Sequence, residues 1–286
     1  MILDDKNIIY VGGDSFTAGE DLSDKLIPSY QEFSTREYKQ VVNADFLHSN
    51  LQNWRSIRKK FYLQNEGEFD NHIENNHNTR WSSVLQSTLN RSVMNYSSAG
   101  GSSMFAIAYR AVYDINRLQN QGYKITDVIL QLTNASRYTF FTNTDQEEYH
   151  NGESYLIRSV NPASEIYTDL ISAIATHESY IHSVYRLFYE IYQAEKMIES
   201  IIGEKPIFVD SIFFEPAEFL NRNLFKVANN FDSFIKDYSL ELKDKLRLSM
   251  YKCINNEDEK VWTTSYHLNT EIHKRFAEQV AETYFN

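Results

Sequence analysis

Glycine is scarce in this chain, and the few glycines are unevenly placed. Nine occur in 286 residues, and five of them stand in two groups, at residues 12–19 and 100–101. Glycine permits backbone conformations and close approaches that other residues do not, so each group marks a place where the backbone needs that freedom. The first group directly follows residues 8–11, a short apolar run typical of a buried strand. The sequence therefore predicts a sharp turn from a strand into a helix at residues 12–19.

Apolar runs of strand length alternate with amphipathic helical patterns along the chain. Strands are predicted at residues 8–11, 92–95, 127–132 and 206–209, and helices at about 81–89, 104–118, 175–202 and 270–284. Continuously apolar strands that alternate with helices are typical of a parallel sheet covered by helices on both faces. The sequence therefore predicts the α/β fold class.

Two long segments, at about residues 20–80 and 138–170, do not fit this alternation, and both are interpreted as irregular insertions. No linker rich in Pro, Gly or Ser sets them apart, so we expect one domain over residues 1–286. The insertions follow the first and third strands, which directs them to the carboxyl edge of the sheet. Ligands bind at that edge in open α/β sheets.

The composition excludes several kinds of protein. The formal charge of -11 repels phosphate backbones, so we expect no nucleic-acid binding. The single cysteine, Cys253, excludes an internal disulfide, and the spacing of the histidines indicates no metal site. No apolar run reaches the roughly 18 residues that span a bilayer, and the acidic N-terminus does not resemble a signal peptide. We expect a cytoplasmic protein without a membrane span; a virion component would show the same features.

Four segments with polar residues are expected at the carboxyl edge of the predicted sheet, and they carry Ser15, Gly100, Asn134 and His267. Two acidic residues follow the first glycine group, where a P-loop needs a lysine and a serine or threonine. The pattern instead favours a serine exposed at a strand-to-helix turn. A serine, a glycine N–H, an asparagine amide and a histidine are the nucleophile, oxyanion donors and general base of acyl transfer.

These segments resemble the sequence blocks of the SGNH (GDSL-type) hydrolase superfamily. Residues 13–19, Gly-Asp-Ser-Phe-Thr-Ala-Gly, resemble the first block, and residues 95–100 resemble the second, with Gly100 at the oxyanion glycine. Residues 132–135 resemble a degraded third block with Asn134 at the oxyanion asparagine. Residues 267–269 resemble the fifth block, with His267 at the catalytic histidine; His273, which follows, is expected to pack or hydrogen-bond on its helix. The resemblance implies a three-layer αβα sandwich with a flavodoxin-like parallel sheet, enlarged here by the insertions.

The sequence departs from the family pattern at the position of the triad aspartate. The family usually places an aspartate three residues before the histidine, where it orients the imidazole, and this chain has Thr264 there. Loss of the acid from a serine triad typically lowers turnover about 10⁴-fold. Three groups could replace it: Asp210, at the end of the fourth predicted strand, Asp258, or a backbone carbonyl.

The resemblance implies a serine esterase that hydrolyses a small acyl ester, such as an O-acetyl group on a carbohydrate. The reaction would pass through an acyl-Ser15 intermediate and needs no cofactor, so the expected partner is a small ester or an acylated carbohydrate. The alternative keeps the fold and loses the reaction, because Thr264 and the degraded third block also suit an inactive protein with a structural or glycan-binding role. The low glycine content and the many Asn, Tyr and Phe residues resemble tailed-phage members of the superfamily, which fits a virion location.

Overall fold

The computed structural model describes residues 6–19, 77–97, 103–135, 138–142, 156–160, 180–211, 214, 224–228, 231–254 and 268–286. The contacts of the chain divide it into two compact units, Met1–Ala18 with Asn90–Tyr251 and Gly19–Leu89 with Lys252–Asn286. The first unit contains the strands, and the second contains a pair of helices. One domain over residues 1–286, enlarged by two insertions, stays a prediction.

The described elements follow the predicted alternation closely. The strands are β1 (Asn7–Gly12), β2 (Ser92–Asn95), β3 (Lys124–Leu132), β4 (Tyr138–Thr142), β5 (Leu156–Val160) and β6 (Ile207–Asp210). The helices are α1 (Ser15–Ala18), α2 (Trp81–Leu89), α3 (Met104–Asn120), α4 (Tyr180–Ile202), α5 (Leu224–Ala228), α6 (Ser233–Lys245) and α7 (Thr270–Tyr284), with a 3₁₀ turn at Met250–Cys253. None of the helices in the described part of the chain is both long and apolar enough to cross a membrane.

The first unit is built on a parallel sheet in the order β2-β1-β3-β6. This is the order of flavodoxin-like folds, in which the chain starts in the middle and winds outwards. Beyond β6, Asp210 pairs with Ser249 in a parallel bridge, and its N–H donates to the Leu248 carbonyl at 3.0 Å. The bridge extends the four-stranded sheet by a fifth position beside β6. The predicted α/β class with a flavodoxin-like parallel sheet is confirmed.

Both faces of the central strands are buried, which explains why these strands are continuously apolar. Ile8 and Tyr10 on β1 pack into one apolar cluster with α3 and α4. The alternate residues Ile9 and Val11 are also fully buried, on the opposite face. A strand with only one buried face would alternate polar and apolar residues instead.

Helix α3 is fixed to the sheet by a buried polar contact. The Tyr10 hydroxyl donates to Asp114 Oδ2 at 3.4 Å, and Arg117 Nη2 lies 3.0 Å from Asp114 Oδ1. Burial, and then the nearby Asp114 carboxylate, raises the pKa of Tyr10 well above its ordinary value. Burial also raises the pKa of Asp114, against the opposing effect of Arg117. The tyrosine therefore stays protonated and donates to the helix above it.

Helix α4 is held at its C-terminal half by a buried carboxylate. Glu195 is 2% exposed and lies 3.1 Å from Lys245 Nζ and 2.9 Å from Lys205 Nζ. The Tyr238 hydroxyl lies 3.3 Å from the same carboxylate. A buried carboxylate is tolerated when cations and hydrogen-bond donors surround it in this way. The network ties α4 to α6.

The interpretation of residues 138–170 as irregular is wrong in part. Strands β4 and β5 lie in this segment and pair antiparallel, with Tyr138 opposite Val160 and Thr142 opposite Leu156. Both strands are rich in β-branched and aromatic residues, which favour a pleated surface. The polar stretch between them conceals the pairing in the sequence. The other predicted insertion, about residues 20–80, lies almost entirely outside the described residues.

The second unit contains α2 packed against α7. The ring of Trp81 meets that of Phe276 edge to face, with centroids 5.3 Å apart. Trp81 opens α2, so its N–H has no acceptor within the helix, and His273 Nδ1 on α7 accepts it at 3.1 Å. His273 is fully buried, which agrees with the expectation that it packs, and its imidazole also caps a neighbouring helix, which the sequence did not indicate.

Replacement of His273 tests this cap. The variant His273→Leu leaves the buried Trp81 N–H without its acceptor and should lower the free energy of unfolding by about 1–3 kcal/mol. The variant His273→Asn keeps an acceptor at the same distance along the side chain and should lose less. Urea unfolding of the two variants and the wild type decides the matter, and a leucine variant as stable as the wild type would contradict the cap.

Candidate active site

The predicted strand-to-helix turn is present at the end of β1. The strand ends at Gly12, and Ser15 is the first residue of the four-residue helix α1. Ala18 N–H donates to the Asp14 carbonyl at 2.9 Å. Gly19, which follows the helix, has a φ of 73°, in the left-handed region that favours glycine. The backbone of Ser15 therefore lies at the carboxyl edge of the sheet. Its side chain lies outside the described part of the structure.

Gly13 is required by its surroundings rather than by its φ. A Cβ at this position would lie 2.4 Å from Thr17 Oγ1 and 2.7 Å from Thr17 Cβ. Contacts this short do not occur between real atoms, so the turn would have to open. The glycine lets α1 fold back directly onto the end of β1.

The carboxylate of Asp14 joins the turn to β3. Asp14 is fully buried, and its Oδ1 accepts from Phe16 N–H at 3.0 Å, which caps α1. The same oxygen accepts from Gln131 Nε2 at 2.7 Å, and Oδ2 accepts from Thr133 Oγ1 at 3.1 Å. Three donors therefore compensate the burial of the carboxylate. We call Asp14, Gln131 and Thr133 the Asp14 cluster.

Helix α1 is also held at its far end. The Thr17 hydroxyl donates to Gln131 Oε1, so the Gln131 amide is bonded at both its nitrogen and its oxygen. Asn95, the last residue of β2, donates from Nδ2 to the Thr17 carbonyl at 2.8 Å. Asn95 Oδ1 in turn accepts from Ser97 N–H at 2.9 Å. Residues at the ends of β2 and β3 thus hydrogen-bond to the helix that starts with Ser15.

Sequence reasoning did not identify the Asp14 cluster, although one signal for it exists. Gln131 is a long polar residue inside an otherwise apolar run, and the structure buries it completely. A fully buried amide in a strand needs partners for both its donor and its acceptor. Asp14 and Thr17 of the glycine-rich block supply them. An isolated Gln or Asn at the carboxyl end of an apolar strand is therefore the pattern to look for.

Besides Ser15, two of the predicted site residues lie at this edge among the described residues. Asn134 follows β3 by two residues and is half-buried. Asp210 ends β6, is fully buried, and accepts from Ser249 Oγ at 2.9 Å through its Oδ2. The carboxylate of Asp210 thus takes part in the junction that extends the sheet. The proposed roles of both residues stay predictions.

The other predicted site residues fall outside the described ranges. They are Gly100, His267 and Asp258, together with Thr264 at the expected acid position. The oxyanion role of the glycine, the base role of the histidine and the acid role of the aspartate therefore stay predictions.

Cys253 does not offer an alternative nucleophile. It is the chain's one cysteine, and its side chain is 2% exposed. Burial raises the pKa of its thiol to about 12, against the opposing effect of Arg275. The thiolate is the reactive form, and at neutral pH this thiol is protonated. Among the described residues, no group of three His, Cys, Asp or Glu side chains is placed to hold a metal ion.

Comparison with known proteins gives structural likenesses only. No family model and no curated protein matches the sequence. The fold is similar to a member of the lipolytic protein G-D-S-L family from Veillonella parvula, which is 10% identical, with a TM-score of 0.43 over 97% of this chain and 98% of that one. It is also similar to a carbohydrate acetylesterase from Sinorhizobium meliloti, 8% identical, with a TM-score of 0.39 over 96% of this chain and 97% of that one. The fold class follows from the strand order itself.

Alanine substitutions at the two glycines of the turn are expected to differ in severity. Gly13→Ala forces the new Cβ into Thr17 and should lower the free energy of unfolding by about 1–3 kcal/mol. Gly12→Ala meets first the flexible end of Leu130, at 3.0 Å, and should cost less. Urea denaturation of both variants measures the difference. Equal stability of the two would show that the turn is not closed as tightly as described.

A second carboxylate beside Asp14 should make stability depend on pH. Gln131→Glu replaces the donor at 2.7 Å by an acceptor, and the two carboxyl groups can then share one proton. Their coupled pKa is raised in the folded state, so the folded protein binds more protons and the variant loses stability as pH rises.

The expected loss for Gln131→Glu is about 3 kcal/mol at about pH 8 and clearly less at about pH 5. The control is Gln131→Met, which also removes the donor to Asp14 but adds no carboxyl group, so its loss should change less with pH. Denaturant unfolding of both variants at the two pH values gives the comparison. A loss for Gln131→Glu that is equal at both values would contradict the described contact with Asp14.

Proposed function

We propose that this protein is a serine esterase of the SGNH type, with Ser15 as its nucleophile. The observation that carries the proposal is the Asp14 cluster: Asp14 caps α1 by one hydrogen bond and is joined to the end of β3 by two more. The backbone of Ser15 is thereby fixed at the carboxyl edge of a parallel sheet, the edge where ligands bind in such folds. A serine at that position suits attack on a carbonyl carbon.

The proposed reaction proceeds in two displacements. His267 takes the proton of the Ser15 hydroxyl as the oxygen forms a bond to the acyl carbon, and the carbonyl electrons move onto the oxygen. The N–H groups of Ser15 and Gly100 and the side-chain amide of Asn134 stabilise that oxyanion. Collapse breaks the ester bond, and His267 protonates the departing alcohol. Water, deprotonated by His267, then releases the acid and restores the serine.

The substrate we propose is a small acyl ester, such as an O-acetyl group on a carbohydrate. Asp258 or Asp210 would orient the imidazole in place of the missing triad aspartate. The position three residues before His267 is Thr264, which also favours a second candidate function. In that case the fold would serve a structural or glycan-binding role without hydrolysis.

Hydrolysis of p-nitrophenyl acetate by purified protein separates the two functions. The wild type should release nitrophenol with saturation kinetics, and Ser15→Ala should lower kcat by about 10⁴-fold or more because covalent catalysis is lost. His267→Ala should have an effect of similar size. The matched control is Ser87→Ala, at an exposed serine on α2 whose hydroxyl bonds only locally, to the Ser83 carbonyl. A folded wild type without activity, or an active Ser15→Ala variant, would overturn the esterase proposal.

A further inference from the structure

The two segments proposed to supply oxyanion donors come from different parts of the chain. Asn134 follows β3, whereas Gly100 precedes Ser103, the residue that caps α3. Donors from separate segments can stabilise one oxygen only if the spacing between the segments is fixed. Helix α4 packs against both α3 and β3, so its side chains are in a position to fix that spacing.

One end of a connection is made by Arg186 on α4. Its Nη2 donates to the carbonyl of Ala135 at 2.8 Å. Ala135 is 1% exposed and is the neighbour of Asn134 in the chain. A charged donor on a buried backbone carbonyl restrains the course of the chain at that point. Arg186 therefore restrains the segment that carries Asn134.

The other end is made by Glu190, one turn further along α4. Its Oε1 lies 2.7 Å from Arg186 Nη1, and its Oε2 accepts from Phe105 N–H at 3.2 Å. Phe105 is the second residue of α3, so its N–H has no acceptor within that helix. Ser103 Oγ accepts the next N–H, from Ala106, at 3.2 Å. Glu190 thus caps α3 from outside and lies where the helix dipole favours a negative charge.

The contacts form a continuous path from the Ala135 carbonyl through Arg186 and Glu190 to the Phe105 N–H. An ordinary ion pair four residues apart on an exposed helix contributes little to stability and bonds to nothing else. Here the side chains of Arg186 and Glu190 are 26% and 13% exposed, and each bonds to a different neighbouring segment. The pair therefore connects two other segments of the chain, whereas an ordinary pair makes contacts only within its own helix.

We propose that Arg186 and Glu190 are positioning residues that hold the Asn134 segment at a fixed distance from the start of α3. As far as it concerns catalysis, the inference rests on the proposed esterase function. Their proposed action is indirect, through the segments that carry the donors. Loss of a whole oxyanion donor lowers kcat by about 10²–10³-fold, so loosening two retained donors should lower it by about tenfold. KM should change by less than about twofold, because the donors act mainly in the transition state.

The test variant is Arg186→Met, which keeps the length of the side chain and removes its donors. Amide hydrogen exchange, read by mass spectrometry, is measured at residues 103–107 and 132–135, alongside kcat and KM for p-nitrophenyl acetate. We expect faster exchange in both segments, at residues 132–135 through the lost bond to the Ala135 carbonyl and at residues 103–107 through Glu190. Arg186→Lys, which keeps one charged donor, should partly restore both exchange and kcat.

The matched control is Lys196→Met on the same helix. Lys196 pairs with Glu199 at 2.8 Å within α4, and this exposed pair should affect neither segment. If Arg186→Met speeds exchange only at residues 132–135, or at neither segment, the bridge is overturned. If Arg186→Met does not fold, seen as fast exchange throughout β1, Glu190→Gln replaces it, and an unchanged segment in that variant overturns the bridge. A wild type without esterase activity overturns the function alone, since the exchange measurements still decide the bridge.

Discussion

The buried carboxylate of Asp14 is the constraint on which the rest of the described site depends. An ionised carboxyl group without partners would be too costly inside a protein, so this one requires its three donors. One donor is the N–H of Phe16 in the new helix, and the other two, Gln131 and Thr133, lie at the end of β3. The contact that compensates the charge is therefore the same contact that fixes the start of α1 to the sheet.

Helix α4 restrains two further points besides those held by the Asp14 cluster, the Ala135 carbonyl after β3 and the start of α3. Glu195 joins it to α6 near one end, while Arg186 and Glu190 reach from its other half to the segment after β3 and to the start of α3. Both anchors use charged groups that are buried or partly buried, where such bonds are stronger than on a surface. The segment after β3 and the start of α3 are therefore held in a fixed arrangement at the carboxyl edge of the sheet.

The sequence was sufficient for the features that depend on local pattern. Apolar runs and helical spacing predicted β2, α2 and α7 to the residue, and the glycines predicted the turn before Ser15. It was not sufficient for contacts between distant segments, because a glutamine 117 residues from Asp14 leaves no periodic trace. The antiparallel pairing of β4 with β5 was missed for the same reason: thirteen polar and mixed residues separate the two strands. A lone buried Gln can signal in the sequence that a polar partner is needed, but which residue is the partner is set by the fold.

The central claim is that the fold presents Ser15 as a nucleophile, and a covalent adduct tests it most directly. The protein is incubated with a fluorophosphonate, digested, and its peptides are mapped by mass spectrometry. The account predicts one phosphonyl group per chain, located on Ser15, and no adduct after prior unfolding. A folded protein that stays unmodified, or that carries the group on another serine, would contradict it.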